Sequence, residues 1–281
     1  SAHRQQARDD DGGEEDGNKA VGEQAREHGA ERWPEGGALA SPRVGRGGDN
    51  TRHGAKEDYG ARMARILILA ALPEEADAVF PGQGAAEAAA FALRSLSVHE
   101  HGVTIATCGL GKVNAALCAG MLGGAADLLV MSGTCGSLGP GPGAYWIAEA
   151  VQHDYGAAQP GLFRRYRAGE WPIGEAGEAH FAAMPDPGLN LPHARIASGD
   201  SFVACPDAAA GLVRDLGAAL VDMEVGAVAQ AAMRLGKPWA AIKAVTDDAN
   251  GDSAGDFHAN LVRAARIAGA AIERLVARVS G

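Results

Sequence analysis

The residues able to do chemistry gather at the ends of apolar runs. In Ala218-Ala-Leu-Val-Asp-Met-Glu-Val-Gly the run closes on Glu224, and farther along Ala244-Val-Thr-Asp-Asp closes another on Asp247. A third run, Ile66-Leu-Ile-Leu-Ala-Ala-Leu-Pro-Glu-Glu, ends at Glu75. An unpaired charge at the end of a buried strand is costly, so acids there need a use. In α/β sheets ligands sit at strand carboxyl ends, and three acids at three such ends imply one pocket. Carboxylates sharing a pocket can divide acid and base work, one giving a proton while another stays ionised beside water.

Those acids need a frame. Apolar runs of strand length fall at 65–72, 103–108, 127–132, 144–152, 194–198, 219–223 and 239–246. Helix-period stretches lie between them, near 74–80, 112–124, 206–216, 224–235 and 256–279. The alternation predicts an α/β fold with a mixed, largely parallel central sheet covered on both faces. The runs ending at Glu224 and Asp247 read as neighbouring strands. Leu235-Gly236-Lys237-Pro238 supplies a left-handed cap and a Pro just beyond the helix that starts at Glu224. In the last helix, Leu261, Ala265, Ala268, Ile272, Leu275 and Val279 form a core-facing stripe.

Two glycine segments invite a ligand. Thr107-Cys-Gly-Leu-Gly-Lys-Val-Asn-Ala-Ala is not a phosphate loop, since Ala106 replaces the first glycine and Val113 follows the lysine. It is not a dinucleotide fingerprint either, because Asn114 stands at the third glycine. Its backbone amides can still face a ligand. In Leu129-Val-Met-Ser-Gly-Thr-Cys-Gly-Ser-Leu-Gly-Pro-Gly-Pro-Gly a buried strand runs into a loop of small residues, where main chain approaches a ligand closely. His153-Asp154 has no further His or Asp partners at metal spacing, and His153 reads as a hydrogen-bonded structural residue.

The stretch 155–193 breaks the α/β pattern with Gly, Pro, Phe163, Arg164, Arg165, Tyr166, Arg167, Trp171 and Phe181. Such an insertion either caps a pocket, meets a second subunit or forms a plain surface loop.

The chain has 281 residues and a formal net charge of −10, with no Lys/Arg cluster from Met63 onward. Nucleic acid is therefore not an expected partner. No apolar run is long enough to span a bilayer. Residues 1–62 are polar and without period, which predicts a disordered N-terminal extension, either a tail or a non-native over-long start, ahead of a domain at 63–281. Cys108, Cys118, Cys135 and Cys205 lack metal or disulfide spacing and read as reduced core residues of a cytoplasmic protein.

Five ordered segments together resemble the nucleoside phosphorylase and nucleosidase superfamily, and within it the methylthioadenosine/S-adenosylhomocysteine nucleosidases. They are Ala70-Ala-Leu-Pro-Glu-Glu, Gly109-Leu-Gly-Lys-Val-Asn-Ala-Ala, Ser132-Gly-Thr-Cys-Gly-Ser-Leu, Ser198-Gly-Asp-Ser-Phe-Val, and Val221-Asp-Met-Glu with Val245-Thr-Asp. The resemblance runs from Arg65 to the C-terminus. It implies a single-domain three-layer αβα sandwich and hydrolysis of the N-glycosidic bond of 5′-substituted adenine nucleosides, with no cofactor or metal. It also implies a homodimer and a place in methionine salvage.

Carried over by residue, Asp247 matches the general acid that protonates N7 of the leaving adenine. Glu224 matches the carboxylate on the ribose hydroxyls, with Met223 against the sugar. Glu75 matches the acid that activates water. Phe202 stacks on the purine and Val203 reads its edge through main chain. Thr134 and Gly136 line the sugar side, with Leu72 and Leu110 nearby and Thr246 beside Asp247. Lys243 stands where Arg is usual, which predicts altered positioning of Asp247. Asp248 either raises the pKa of Asp247 or faces solvent.

The chemistry is consistent with that assignment. Breaking a ribosyl C–N bond builds positive charge on the sugar, which carboxylates around the ribose favour. Glu74 and Glu75 would repel phosphate, so water is the expected nucleophile. The alternatives are a futalosine hydrolase or purine nucleoside phosphorylase; arginines of 155–193 facing a carboxylate-bearing 5′ group would favour futalosine or homocysteine over methylthio. A nucleoside-binding or storage protein is the non-enzyme alternative.

Overall fold

The computed structural model describes residues 63–279, and the expectation for residues 1–62 lies outside them. The chain begins with β1 (Arg65–Ala70), α1 (Pro73–Asp77), β2 (Ala85–Ala88), β3 (Ala92–Val98), β4 (His101–Thr107) and α2 (Lys112–Leu122). Then come β5 (Leu128–Ser137), β6 (Ala144–Gln152), β7 (Gly156–Gln159), β8 (Leu162–Arg165), β9 (His180–Ala182) and β10 (His193–Ser198). Next are α3 (Pro206–Leu216), β11 (Leu220–Asp222), α4 (Val225–Leu235), β12 (Trp239–Asp247) and α5 (Ser253–Val276).

A mixed sheet has helices on both faces, which is the expected three-layer α/β arrangement. Successive residues of a strand point to opposite faces, and each face here finds its own helices. Leu67, Leu69, Leu129 and Met131 pack with Ala115, Cys118 and Ala119 of α2 and Val228 and Ala232 of α4. Ile66, Ile68 and Val130 pack with Ala76 of α1 and with Ile272, Leu275 and Val276 of α5. Burial on both faces explains why these strands read as unbroken apolar runs. The α5 stripe predicted from spacing faces this core, with Ala265, Ala268, Ile272 and Leu275 buried. α4 ends on Gly236 in the left-handed conformation (φ +64°), as its sequence requires.

The strand order is β11-β10-β6-β12-β5-β1-β4-β3-β2, with β9 on β6. β11 also pairs antiparallel with the end of β5, through Leu220↔Ser137 and Val221↔Gly136, so that half of the sheet closes on itself. β11 and β12 are therefore not hydrogen-bonded neighbours, contrary to the sequence reading. β5 lies between them, parallel to β12. The segment expected to leave the strand after Ser132 instead stays in β5 to Ser137, every residue of it buried. Its small side chains let β11 and β12 pack closely on either side.

The β2–β3 hairpin (Ala85↔Ser95 to Ala88↔Ala92) and the β7–β8 hairpin were not legible, because β2, β7 and β8 are short and β3 is only half-buried, with no fully buried residue to mark it. Within 155–193, Tyr166 and Phe181 are buried while Phe163 and Trp171 are exposed. Cys108, Cys118 and Cys135 are buried, but Cys205 is exposed just before α3, which corrects its reading as a core residue. His153 is buried and hydrogen-bonded through its main chain, its amide to the Ser198 carbonyl and its carbonyl from Arg165, while its Nε2 finds no partner among the described residues. Its ring packs on Gly199, where an added Cβ would sit 2.3 Å from Nε2.

Candidate active site

Glu75, Glu224 and Asp247, together with Leu72, Leu110, Thr134, Gly136, Phe202, Val203, Met223 and Thr246, line one cavity of about 410 Å³. It opens at the carboxyl ends of β1, β5, β11 and β12, where the sheet closes on itself. All three acids are buried, Glu75 and Glu224 at 3% and Asp247 at 5% exposure.

Glu75 lies in the first turn of α1 rather than at the strand end itself. Its Oε2 accepts the amides of Ala71 at 3.0 Å and Leu72 at 3.1 Å. Its Oε1 accepts both the amide and the hydroxyl of Thr134, each at 2.8 Å. The last amide is reachable because Gly133 has no side chain, and a Cβ there would meet the Glu75 carboxylate at 2.7 Å.

Asp247 ends β12 beyond a register shift between Val245↔Cys135 and Asp247↔Gly136. Such an irregularity re-aims the side chains that follow it. The Ala249 amide donates to Oδ1 at 3.1 Å. The Thr246 hydroxyl lies 2.8 Å from Oδ2 and 3.1 Å from the Cys135 carbonyl. One hydroxyl carries one proton, so it cannot fully serve two acceptors. When it donates to Cys135, a protonated Asp247 can donate to Thr246, an arrangement that accommodates the acid form. Asp248 is exposed and faces solvent.

Glu224 occupies the junction between β11 and α4. Its Oε1 accepts the amide of Gly111 at 3.0 Å. That amide belongs to the glycine turn ahead of α2, where φ is +91°, so the turn meets a carboxylate of the chain itself. Burial pushes the Glu224 carboxyl up, Lys243 opposes the rise and Asp222 adds to it. Lys243 is 1% exposed, and its Nζ sits 3.0 Å from Asp222 Oδ2 and 3.5 Å from Glu224 Oε2. Burial works against the Lys243 charge, but Asp222 and Glu224 outweigh it and hold the ammonium form. Lys243 thus pairs with the acids of the β11–α4 junction and not with Asp247, which corrects the expectation drawn from the Arg-to-Lys difference.

Sequence reading missed several lining residues, among them Cys135, Asp222, Phe257 and His258. Phe257 stands edge-on to Phe202 with ring centroids 6.0 Å apart. The pairing is invisible in sequence because α3, α4 and two strands separate the two rings. Asp222 was within reach, being an acid two residues before Glu224 on the same apolar run. Burial pushes the Cys108 thiol up to about 12 and that of Cys135 higher still, so neither is a thiolate near neutral pH.

No residue of 155–193 lines this cavity, so the insertion does not cap the pocket within one chain. Arg165 instead pairs with Asp215 at 3.2 Å and donates to the His153 carbonyl.

A model of the phosphorylase superfamily matches residues 65–279. A 5′-methylthioadenosine/S-adenosylhomocysteine nucleosidase of Mycobacterium bovis is 31% identical over 189 residues, covering 56% of this chain and 74% of the relative. Among solved structures, S-adenosylhomocysteine nucleosidase from Streptococcus pyogenes in complex with 5-methylthiotubericidin aligns with a TM-score of 0.66 at 22% identity. The alignment covers 79% of this chain and all of that one. Futalosine hydrolase of Helicobacter pylori aligns with a TM-score of 0.65 at 22% identity, over 77% of this chain and 99% of that one. The last two likenesses concern the fold. The match across 65–279 and the nucleosidase relative place the family: the chain belongs to the phosphorylase superfamily and, within it, to the 5′-methylthioadenosine/S-adenosylhomocysteine nucleosidases.

Proposed function

We propose that this chain hydrolyses the N-glycosidic bond of 5′-substituted adenine nucleosides, methylthioadenosine and S-adenosylhomocysteine, releasing adenine and the 5′-thioribose. Asp247 protonates N7 so that adenine leaves as a neutral base. Glu224 holds the ribose hydroxyls and, with Glu75, favours the positive charge that builds on the ring. Glu75 orients and activates the attacking water. Phe202 stacks on the purine, Val203 meets its edge, Met223 packs on the sugar, and Thr134 and Gly136 line the sugar side.

One observation carries hydrolysis over phosphorolysis. The amides of Ala71, Leu72 and Thr134 and the Thr134 hydroxyl, which would suit an anion, already serve the Glu75 carboxylate. A phosphate would face a buried anion in place of free donors, and among the described residues no Lys or Arg lines the cavity. The four donors saturate Glu75, so a water gains an acceptor there when one turns away. Of the four, only the Thr134 hydroxyl sits on a rotatable side chain. The absence of lining cations also favours methylthioadenosine, with its small apolar 5′ group, over S-adenosylhomocysteine and futalosine, whose 5′ groups carry a carboxylate.

The chain is further proposed to act as a cytoplasmic homodimer in methionine salvage. The dimer is supported by exposed Val113, Leu117 and Met121, a row along one face of α2. The compartment is supported by four free cysteines and by the lack, among the described residues, of any helix long and apolar enough to cross a membrane.

The test is adenine release from methylthioadenosine and S-adenosylhomocysteine with and without phosphate. Free adenine and free sugar at a rate independent of phosphate are expected. Phosphate-dependent release would remove water as the nucleophile.

A further inference from the structure

The buried cluster at the start of α4 contains more charge than the reaction outlined above uses. Three ionisable side chains meet there almost out of solvent: Asp222, Glu224 and Lys243. Asp222 is fully engaged. It accepts the Ser198 hydroxyl, takes the amide of Val225, the first residue of α4, at 3.0 Å, and meets Lys243 Nζ at 3.0 Å. Ser198 in turn accepts the Gly226 amide at 2.8 Å. Asp222 is thus committed to holding the helix, and the ammonium's remaining reach is toward Glu224 at 3.5 Å.

Lys243 comes from the middle of β12, opposite Gly133 of β5 and Tyr145 of β6. A long side chain on a central strand spans the distance from the sheet to the β11–α4 junction. The Gly111 amide holds the other oxygen of Glu224, so its carboxylate is gripped from two sides, one of them charged.

We propose that Lys243 is a positioning residue for the reaction proposed above: seated between Asp222 and Glu224, it favours the ionised form of Glu224, aims it at the ribose hydroxyls, and so sets the acid side of the activity profile. This role rests on the nucleosidase reading for its substrate. The groups facing Glu224 are Lys243 on β12, Asp222 on β11, Glu75 on α1, Cys108 after β4 and the Gly111 amide ahead of α2. Asp247, at the end of β12, lines the same cavity. Only Lys243 among the side chains is a cation. Burial pushes the Glu224 carboxyl up to about 7, Lys243 is the strongest influence against that rise, and losing the ammonium lets the carboxyl rise further. A protonated Glu224 cannot accept from both ribose hydroxyls, so activity falls from the acid side.

The experiment compares kcat/KM against pH for adenine release from methylthioadenosine by the wild-type chain, Lys243→Arg and Lys243→Met. Lys243→Met should move the acid limb upward and lower kcat/KM on that side by about tenfold for each pH unit moved, while the alkaline plateau changes less. Lys243→Arg keeps the charge and should keep the limb. In a Glu224→Gln background, Lys243→Met should add little, because its target is gone.

Lys243→Met strands two buried carboxylates and risks unfolding. Asp222→Asn with Lys243→Met removes one charge of each sign and should still move the limb upward. A drop equal at every pH in a folded variant, an unmoved limb, or full additivity with Glu224→Gln would each overturn the role.

Adenosine binding to Asp247→Asn, with and without Lys243→Met, is followed calorimetrically over the same pH range and reads the pair without turnover. The weakening on the acid side should begin at higher pH when Lys243 is replaced. Wild-type chain that releases no adenine but whose binding moves as expected would sink the nucleosidase reading and keep the Lys243–Glu224 coupling. Binding with no such movement would overturn the coupling alone.

Discussion

Asp247 and Glu75 make opposite demands on their surroundings, and the hydrogen bonds around each suit its proposed task. Asp247 has one amide and a shared hydroxyl, and can be a donor to Thr246. Glu75 has four donors, three of them amides that cannot accept a proton from it. Asp247→Asn, which cannot give a proton to N7, should lower kcat by about 10²–10⁴-fold, the usual worth of a general acid, while nucleoside affinity changes little. Stopped-assay kinetics and calorimetry check the two halves, and wild-type kcat in that variant would remove the assignment.

Gly133→Ala is a sharper test of Glu75, because it leaves every acid in place. The new Cβ would meet the carboxylate at 2.7 Å and push it off the Thr134 amide. Misplacement of that order should cost about a hundredfold in kcat/KM, measured on a variant whose melting temperature is close to wild type. The acids and Phe202 were legible in the sequence as acids at run ends and a family motif. Lys243's partners were not, since nothing in Ile242-Lys-Ala fixes which of four buried carboxylates a flexible side chain reaches.

Between elements, glycines set the distances. Gly269 of α5 crosses α1 so closely that a Cβ would lie 2.2 Å from the Ala78 carbonyl. α1 carries Glu75, so this crossing holds a site residue from the far side of its helix. Gly269→Ala should destabilise the fold by about 1–3 kcal/mol, as overpacking does, read by denaturant titration. An unchanged midpoint would mean that α5 shifts freely.

At the junction of β6 and β10, burial lowers the pKa of His153. The folded chain then binds fewer protons there than the unfolded chain, so stability is present above the unfolded value of about 6.5 and is lost as pH falls below it. Melting temperature should decline below that pH, and His153→Gln should flatten the decline. An identical slope in the variant would show that other groups carry it. Long apolar elements such as β1, β5 and α5 were readable because burial on both faces, or along one stripe, leaves a dense pattern. β2, β7 and β8 were not, because short exposed strands owe their pairing to neighbours.

At the scale of the molecule, the apolar row of Val113, Leu117 and Met121 on α2 is a feature that a single chain leaves exposed. The proposed homodimer predicts a particle of twice the chain mass in sedimentation, split by Leu117→Glu. A monomer at micromolar concentration would overturn it. Leu110, at the head of α2, lines the cavity, so a contact along this helix would run up to the site's edge.

By itself the sequence determined the α/β class, the positions of the long buried elements and the identity of the acids. These follow from side-chain period and from the cost of placing a charge at the end of an apolar run, both local properties of the chain. The tertiary structure decided what the acids touch. The antiparallel pairing of β11 with the end of β5 closes the sheet and brings Glu224 round to Asp247. Gly133 admits Glu75 to the Thr134 amide, and the length of the Lys243 side chain carries a cation from β12 to Glu224. Each is a contact between segments far apart in the chain, set by strand order and register, and no local pattern encodes it.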